Sequence, residues 1–98
     1  MFLGYDQVTV SSAVLTVSSF TVPAAASLVE IQATEQAINY TMDASTNPTA
    51  TATGVGMRLA VGDMPKQFLI EDFRRIRVIR AAGSDGKINV HYSGGRDI

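Results

Sequence analysis

Hydrophobic and polar side chains alternate in short runs along this chain, and that alternation restricts it to β-structure. Val29, Ile31 and Ala33 fall on one side of an extended backbone, with Glu30, Gln32 and Thr34 on the other. The same period of two returns in Ile38, Tyr40 and Met42, and again in Ile88, Val90 and Tyr92. Successive strand side chains point to opposite faces, so each run offers one face to a core and one to solvent. Composition agrees: Val, Ile and Thr supply 26 of 98 residues, against 5 Leu, 3 Glu and 2 Lys. β-Branched side chains are stiff at χ1 and pack well on a pleated surface.

Further strands are placed by their punctuation. Val8, Val10, Val14 and Thr16 read as strand pieces broken by Ser11-Ser12-Ala13, and Phe20-Thr21-Val22 runs into Pro23, which lacks a ladder donor. Residues 1–27 are also expected to act as an N-terminal arm touching neighbouring subunits. The runs around Ile31 and Tyr40 predict a hairpin turning at Glu35-Gln36. Residues 43–56 read as a long polar loop whose Asp, Asn, Ser and Thr side chains can bond local backbone. Met57, Leu59 and Val61 predict a short strand closed by Gly62-Asp63.

Over residues 65–77 two patterns compete. Asp63 could cap a helix with Leu69, Phe73 and Ile76 on one face. The preferred reading is two strands, 68–70 and 76–79, joined through Glu71-Asp72. Asp85-Gly86 is a hairpin turn signal, predicting that the 76–79 strand folds back onto Ile88, Val90 and Tyr92. Seven to nine short strands argue for an all-β fold: a single immunoglobulin-like or jelly-roll-like antiparallel β-sandwich spanning 1–98. A chain of 98 residues has room for one core. It has no cysteine, so disulfides and thiolate metal sites are excluded.

Chemistry-bearing residues are sparse. His91 is the single histidine, and its alternation with Val90 and Tyr92 puts it on the outer face of its strand. The nucleophile-elbow sequence Gly-x-Ser-x-Gly is absent. Glu71 and Asp72, as strand neighbours, would diverge rather than form an acid/base pair. Asp43 and Asn47 lack the spacing of a calcium loop and read as a structural turn. No enzymatic activity, cofactor or metal is expected.

A net charge of −1 supplies no field for nucleic acid or an anionic membrane surface. No apolar run approaches the ~20 residues of a membrane helix. The start Met1-Phe2-Leu3-Gly4-Tyr5-Asp6 lacks the basic and apolar pattern of a secretory signal, so synthesis in the cytosol is expected. Charge is concentrated in one place: Arg74, Arg75, Arg77 and Arg80 carry half of the eight positive charges. The alternatives are a solvated face paired with carboxylates such as Glu71 and Asp72, phosphate binding, or a protein contact, and the protein contact is preferred because arginine suits interface cores.

The stretch Ala37-Ile38-Asn39-Tyr40-Thr41-Met42-Asp43 followed by Asn47-Pro48-Thr49-Ala50-Thr51 resembles a hairpin and loop of small virion structural proteins of tailed bacteriophages. A related motif occurs in the immunoglobulin-like module of chitobiase-type enzymes. Gly56-Met57-Arg58-Leu59-Ala60-Val61-Gly62-Asp63, Phe73-Arg74-Arg75-Ile76 and Asn89-Val90-His91-Tyr92 are similar to later elements of the phage proteins. The resemblance covers residues 28–92. Where that family has Asp-Gly this chain has Asp43-Ala44, so a turn needing positive φ there would be strained.

The resemblance implies a non-enzymatic virion subunit made in the host cytoplasm. Its expected role is a capsid decoration (cement) protein bound to the major capsid protein or other virion subunits, acting as a homo-oligomer without nucleic acid or membrane. A collar or tail component is the alternative, and a carbohydrate-binding module on a host-recognition appendage is a second. That module would need exposed aromatics, and the chain has no tryptophan and three tyrosines: Tyr5, Tyr40 and Tyr92. The expected contact residues are Arg74, Arg75, Arg77 and Arg80 with Asp43, Asn47 and Thr49 of a loop stretch ending at Thr53. Charge reversal at Arg75 and Arg77 is expected to abolish capsid binding and leave the fold intact.

Overall fold

Eight strands pair as though one long hairpin had been rolled up. A computed structural model describes residues 2–51 and 54–94. In chain order the strands are β1 (Phe2–Val10), β2 (Leu15–Thr16), β3 (Ala26–Thr34), β4 (Ile38–Thr41), β5 (Met57–Leu59), β6 (Lys66–Leu69), β7 (Arg77–Arg80) and β8 (Gly86–Gly94). A 3₁₀ turn covers Val17–Ser19, and one helical turn, α1, covers Ile70–Phe73.

Antiparallel pairs join β1 to β8, β2 to β7, β3 to β6 and β4 to β5, so each pair's numbers sum to nine. Two further pairs, β3 with β8 and β4 with β7, knit these into sheets of order β1-β8-β3-β6 and β2-β7-β4-β5. That is the jelly-roll form of the expected antiparallel sandwich.

The roll explains two corrections. The expected hairpins β3–β4 and β7–β8 do not form, because every connection except β4–β5 carries the chain to the opposite sheet. Alternation marks which face of a strand is buried but is silent about which sheet holds the strand. Both strands of such a connection still bury one face, across the core from each other. The β3–β4 corner turns at Glu35, with φ of 71° and Gln36 N–H donating to Thr34 O at 2.8 Å. The β7–β8 crossing lies beside it, with Ala81 N–H donating to Ala37 O at 3.0 Å. Gly86 is required there by close approach and not by a turn: a Cβ on it would sit 2.8 Å from Gln36 O.

Other elements follow the expectation more closely. Val29, Ile31 and Ala33 are buried, as are Ile88, Val90 and Tyr92. No long helix spans residues 65–77: β6 leads through the single turn α1, rather than an extended link, to β7, which starts at Arg77. Leu69, expected on the buried face of the competing helix, is exposed. Val61 lies in the turn after β5, and its side chain and that of Met57 are exposed, so Leu59 alone anchors β5 in the core. β1 belongs to the sandwich itself, paired with β8 from Phe2 to Val10.

α1 earns its place through Phe73, which is fully buried between the sheets. Its ring meets Phe20 edge-on at 5.2 Å and Tyr92 edge-on at 6.0 Å. The Tyr92 hydroxyl, otherwise stranded in the core, donates to Asp6 Oδ2 at 2.7 Å. Burial, with that carboxylate beside it, holds the phenol well above its ordinary range. Asp6 also accepts from Thr21 N–H at 2.8 Å, which ties the segment before β3 to the first strand.

Candidate contact surfaces

The polar loop after β4 lies as a plate over the outer face of the second sheet. Asn39 is 2% exposed although it points away from the core, because the loop covers it. Its Nδ2 donates to Thr49 O at 2.8 Å and Thr51 O at 2.9 Å. Arg77 reaches over from β7 and donates to Ala44 O, Ser45 O and Asn47 Oδ1 at 2.8, 3.2 and 2.6 Å. Thr49 closes the loop's far side, with its N–H donating to Val55 O and its Oγ1 accepting from Val55 N–H. Gly56, at φ 123°, brings the chain back so closely that a Cβ there would lie 3.0 Å from Pro48. The Thr53 end of the expected contact stretch lies outside the described residues.

Asp43 organises the loop's first turn by accepting from Ser45 N–H, Thr46 N–H and the Thr46 hydroxyl at 3.0, 2.8 and 2.6 Å. These bonds, the Thr46 hydroxyl first among them, hold its carboxyl far below the 3.8 of a free aspartate. A depressed folded value means that the carboxylate stabilises the turn above about pH 4 and that this support is lost as pH falls further. An NMR titration of the Asp43 carboxyl is expected to give a midpoint well below 3.8; a midpoint near the free value would remove this role.

The next residue, Ala44, has φ of 65°, the positive value its Asp-Gly counterpart would adopt freely. An L-residue in this region bears roughly 1–2 kcal/mol of strain, while glycine adds about 0.4–1 kcal/mol of unfolded-state entropy. Ala44→Gly is therefore expected to raise stability by about 0.5–1 kcal/mol in urea denaturation. An unchanged or lowered midpoint would contradict the strain.

These contacts change the standing of the expected site residues. Arg77, Asp43, Asn47 and Thr49 do come together, but as internal braces. Arg80 ion-pairs with Asp85 at 2.8 Å across the β7–β8 crossing, and its Nε is buried without a partner among the described residues. Arg74 and Arg75, following α1, are exposed, and among the described residues neither forms an ion pair with Glu71 or Asp72. Arg77 is thus unsuitable for the expected charge-reversal experiment, since its loss would release the loop.

The other sheet has an outer face that no described residue covers, which reasoning from the arginines missed. Its side chains stand in rows across the strands. Phe2, Ser93, Leu28 and Leu69 are successive register partners across all four strands. Tyr5, His91, Glu30 and Gln67 form the next row, then Gln7, Asn89 and Gln32, then Thr9, Lys87 and Thr34. Phe2, Tyr5, Leu28 and Leu69 are 64, 56, 38 and 56% exposed. His91 stays on the outer face as expected, stacked under the Phe2 ring at 4.1 Å and meeting Tyr5 edge-on at 5.8 Å. The face therefore grades from an apolar end to an amide middle and a charged end, where Lys87 pairs with Glu35 at 3.4 Å. The outward half of the same alternation that located the core carried this signal: Leu28 breaks the polar series of Glu30, Gln32 and Thr34.

No family model, curated protein or solved structure matches the chain. The phage resemblance accordingly rests on its short motifs, and the two outer faces carry the functional argument. Among the described residues no group of three or more His, Asp or Glu side chains is placed to hold a metal ion, and no helix is long and apolar enough to cross a membrane.

Proposed function

We propose that this chain is a non-enzymatic structural subunit of a tailed-phage particle, a decoration protein that seats on the head and grips the major capsid protein. The carrying observation is the exposed row of Phe2, Leu28 and Leu69, interrupted by Ser93, at one end of a four-stranded face. Contiguous exposed apolar surface marks an interaction site, and a rigid sheet presents it without an ordering cost. The braced loop on the opposite side makes a second preformed surface, with Arg74 and Arg75 as exposed cations beyond α1. Jelly rolls serve as capsid domains and as lectins, so the fold is compatible with this role without assigning it. The motif resemblance over residues 28–92 supplies the phage context.

Quantitative mass spectrometry of purified particles tests the reading directly. A copy number of the same order as the major capsid protein is expected; one ring's worth moves the protein to the collar or tail, and absence from particles ends the proposal. In reconstitution, the double change Leu28→Lys and Leu69→Glu, which sets opposite charges on two register partners, is expected to reduce particle occupancy roughly tenfold or more while leaving the melting temperature near wild type. Full occupancy by that variant would clear the apolar row of any role.

A carbohydrate-binding reading retains one observation. Tyr40 and Tyr92 are buried, but Tyr5 is exposed beside the amide row. Specific glycan-array binding that is abolished by Tyr5→Ala would put this reading in place of the first.

A further inference from the structure

We infer that two copies of this chain pair antiparallel along β1, about a two-fold axis at Gln7, to form one continuous eight-stranded sheet. The inference rests on the edge strand alone and holds whether or not the chain belongs to a particle. β1 is nine residues long and bonded on one side, to β8. Long open edges are normally blunted by lysine, proline or an inward charge. β1 has neither lysine nor proline, its one register irregularity is confined to the Phe2–Gly4 end, and its one charge, Asp6, is already satisfied by Tyr92 and Thr21.

The core is also left partly open along this flank. Leu3 and Val8 of β1, Leu15 of β2, and Val17 and Val22 of the following segment are half-buried and pack against the core from its side. A second copy laid along β1 would cover like with like, which is what a two-fold interface requires.

The amide row sets the register. Gln7 Nε2 donates to Asn89 Oδ1 at 3.0 Å, and Asn89 Nδ2 donates to Gln32 Oε1 at 3.3 Å. This ladder ends at the open edge, on a carboxamide that carries both a donor and an acceptor and so complements itself. Pairing must keep outward residues with outward residues, so the axis passes through a residue rather than between two. An axis at Asp6 would oppose two carboxylates, which is destabilising. An axis at Gln7 sets Gln7 against the partner's Gln7 and extends the ladder to six amides. It also puts Tyr5 opposite the partner's Thr9, a favourable aromatic–β-branched pair.

Sedimentation velocity over a dilution series of the full chain tests this. The wild-type chain is expected to dimerise, and Gln7→Lys and Gln7→Glu are each expected to weaken dimerisation roughly 100-fold with unchanged circular dichroism and melting. Mixing the two variants is expected to restore a heterodimer, because opposite charges then meet on the axis. Gln67→Lys on the other open edge, β6, should leave dimerisation unchanged. A monomeric wild-type chain, dimerisation indifferent to position 7, or no heterodimer in the mixture would each overturn the inference. Capture of an extended peptide by a monomeric chain would overturn it too, and would assign the edge to strand addition by another protein.

Discussion

Phe73→Ala is expected to lower the folding free energy by about 3–5 kcal/mol, the usual loss for truncating a fully buried phenylalanine. The neighbours cannot collapse into the space easily. Phe20 and Tyr92 meet the ring edge-on from two elements, and Tyr92 is itself fixed by its bond to Asp6. The ring also hangs from a single helical turn between two sheets, so its loss slackens the connection between β6 and β7. A domain of this size has roughly 5–15 kcal/mol in total, so much of the margin would go. Urea denaturation at constant m-value reads the loss. Phe73→Leu, which refills most of the volume, should recover a good part of it. A loss below about 1 kcal/mol for the alanine variant would mean that the three rings do not form the centre of the core.

How much of this was legible in the sequence follows from what alternation encodes. Val29, Ile31, Ala33, Ile88, Val90 and Tyr92 announced a sandwich because each burial depends on one strand's own period. The partner of each strand was not announced. The Glu35-Gln36 and Asp85-Gly86 segments look like hairpin turns locally, and what makes them crossings is the non-local pairing of β3 with β8 and β4 with β7. Gly86 shows the ambiguity in one residue: a glycine suits a tight turn, but here it admits the Gln36 backbone. The arginine cluster shows the same limit. Its spacing showed charge, but only the fold shows Arg77 spent on three loop acceptors and Arg80 on Asp85. The strain at Ala44 was legible only through the resemblance, whose Asp-Gly marks a positive φ that an alanine by itself does not announce.

The second large effect is expected at Asn39. Both donors on its Nδ2 go to backbone carbonyls, at Thr49 and Thr51, which fixes which side of the amide faces the loop. Asn39→Asp nearly keeps the shape and reverses the chemistry: a buried carboxylate would face two carbonyl oxygens with nothing to donate. Leaving an unpaired carboxylate at the buried position 39 and its two part-buried acceptors without donors costs about 1–3 kcal/mol per lost bond, so a total near 3 kcal/mol is expected at neutral pH. Burial among acceptors would raise the introduced carboxyl's folded value above its unfolded one of about 3.9. The folded state then binds the extra proton, so the deficit is greatest above that raised value and shrinks as pH falls towards about 4. This is opposite in sign to the support from Asp43, which persists down to about pH 4 and fails below it. Hydrogen exchange would locate the damage: amides of residues 43–51 and of β4 should lose protection together, while β8 keeps its own. A uniform loss over both sheets, or a deficit that grows on acidification from pH 7 to 5, would mean that Asn39 is not the clasp that holds the loop to the sheet.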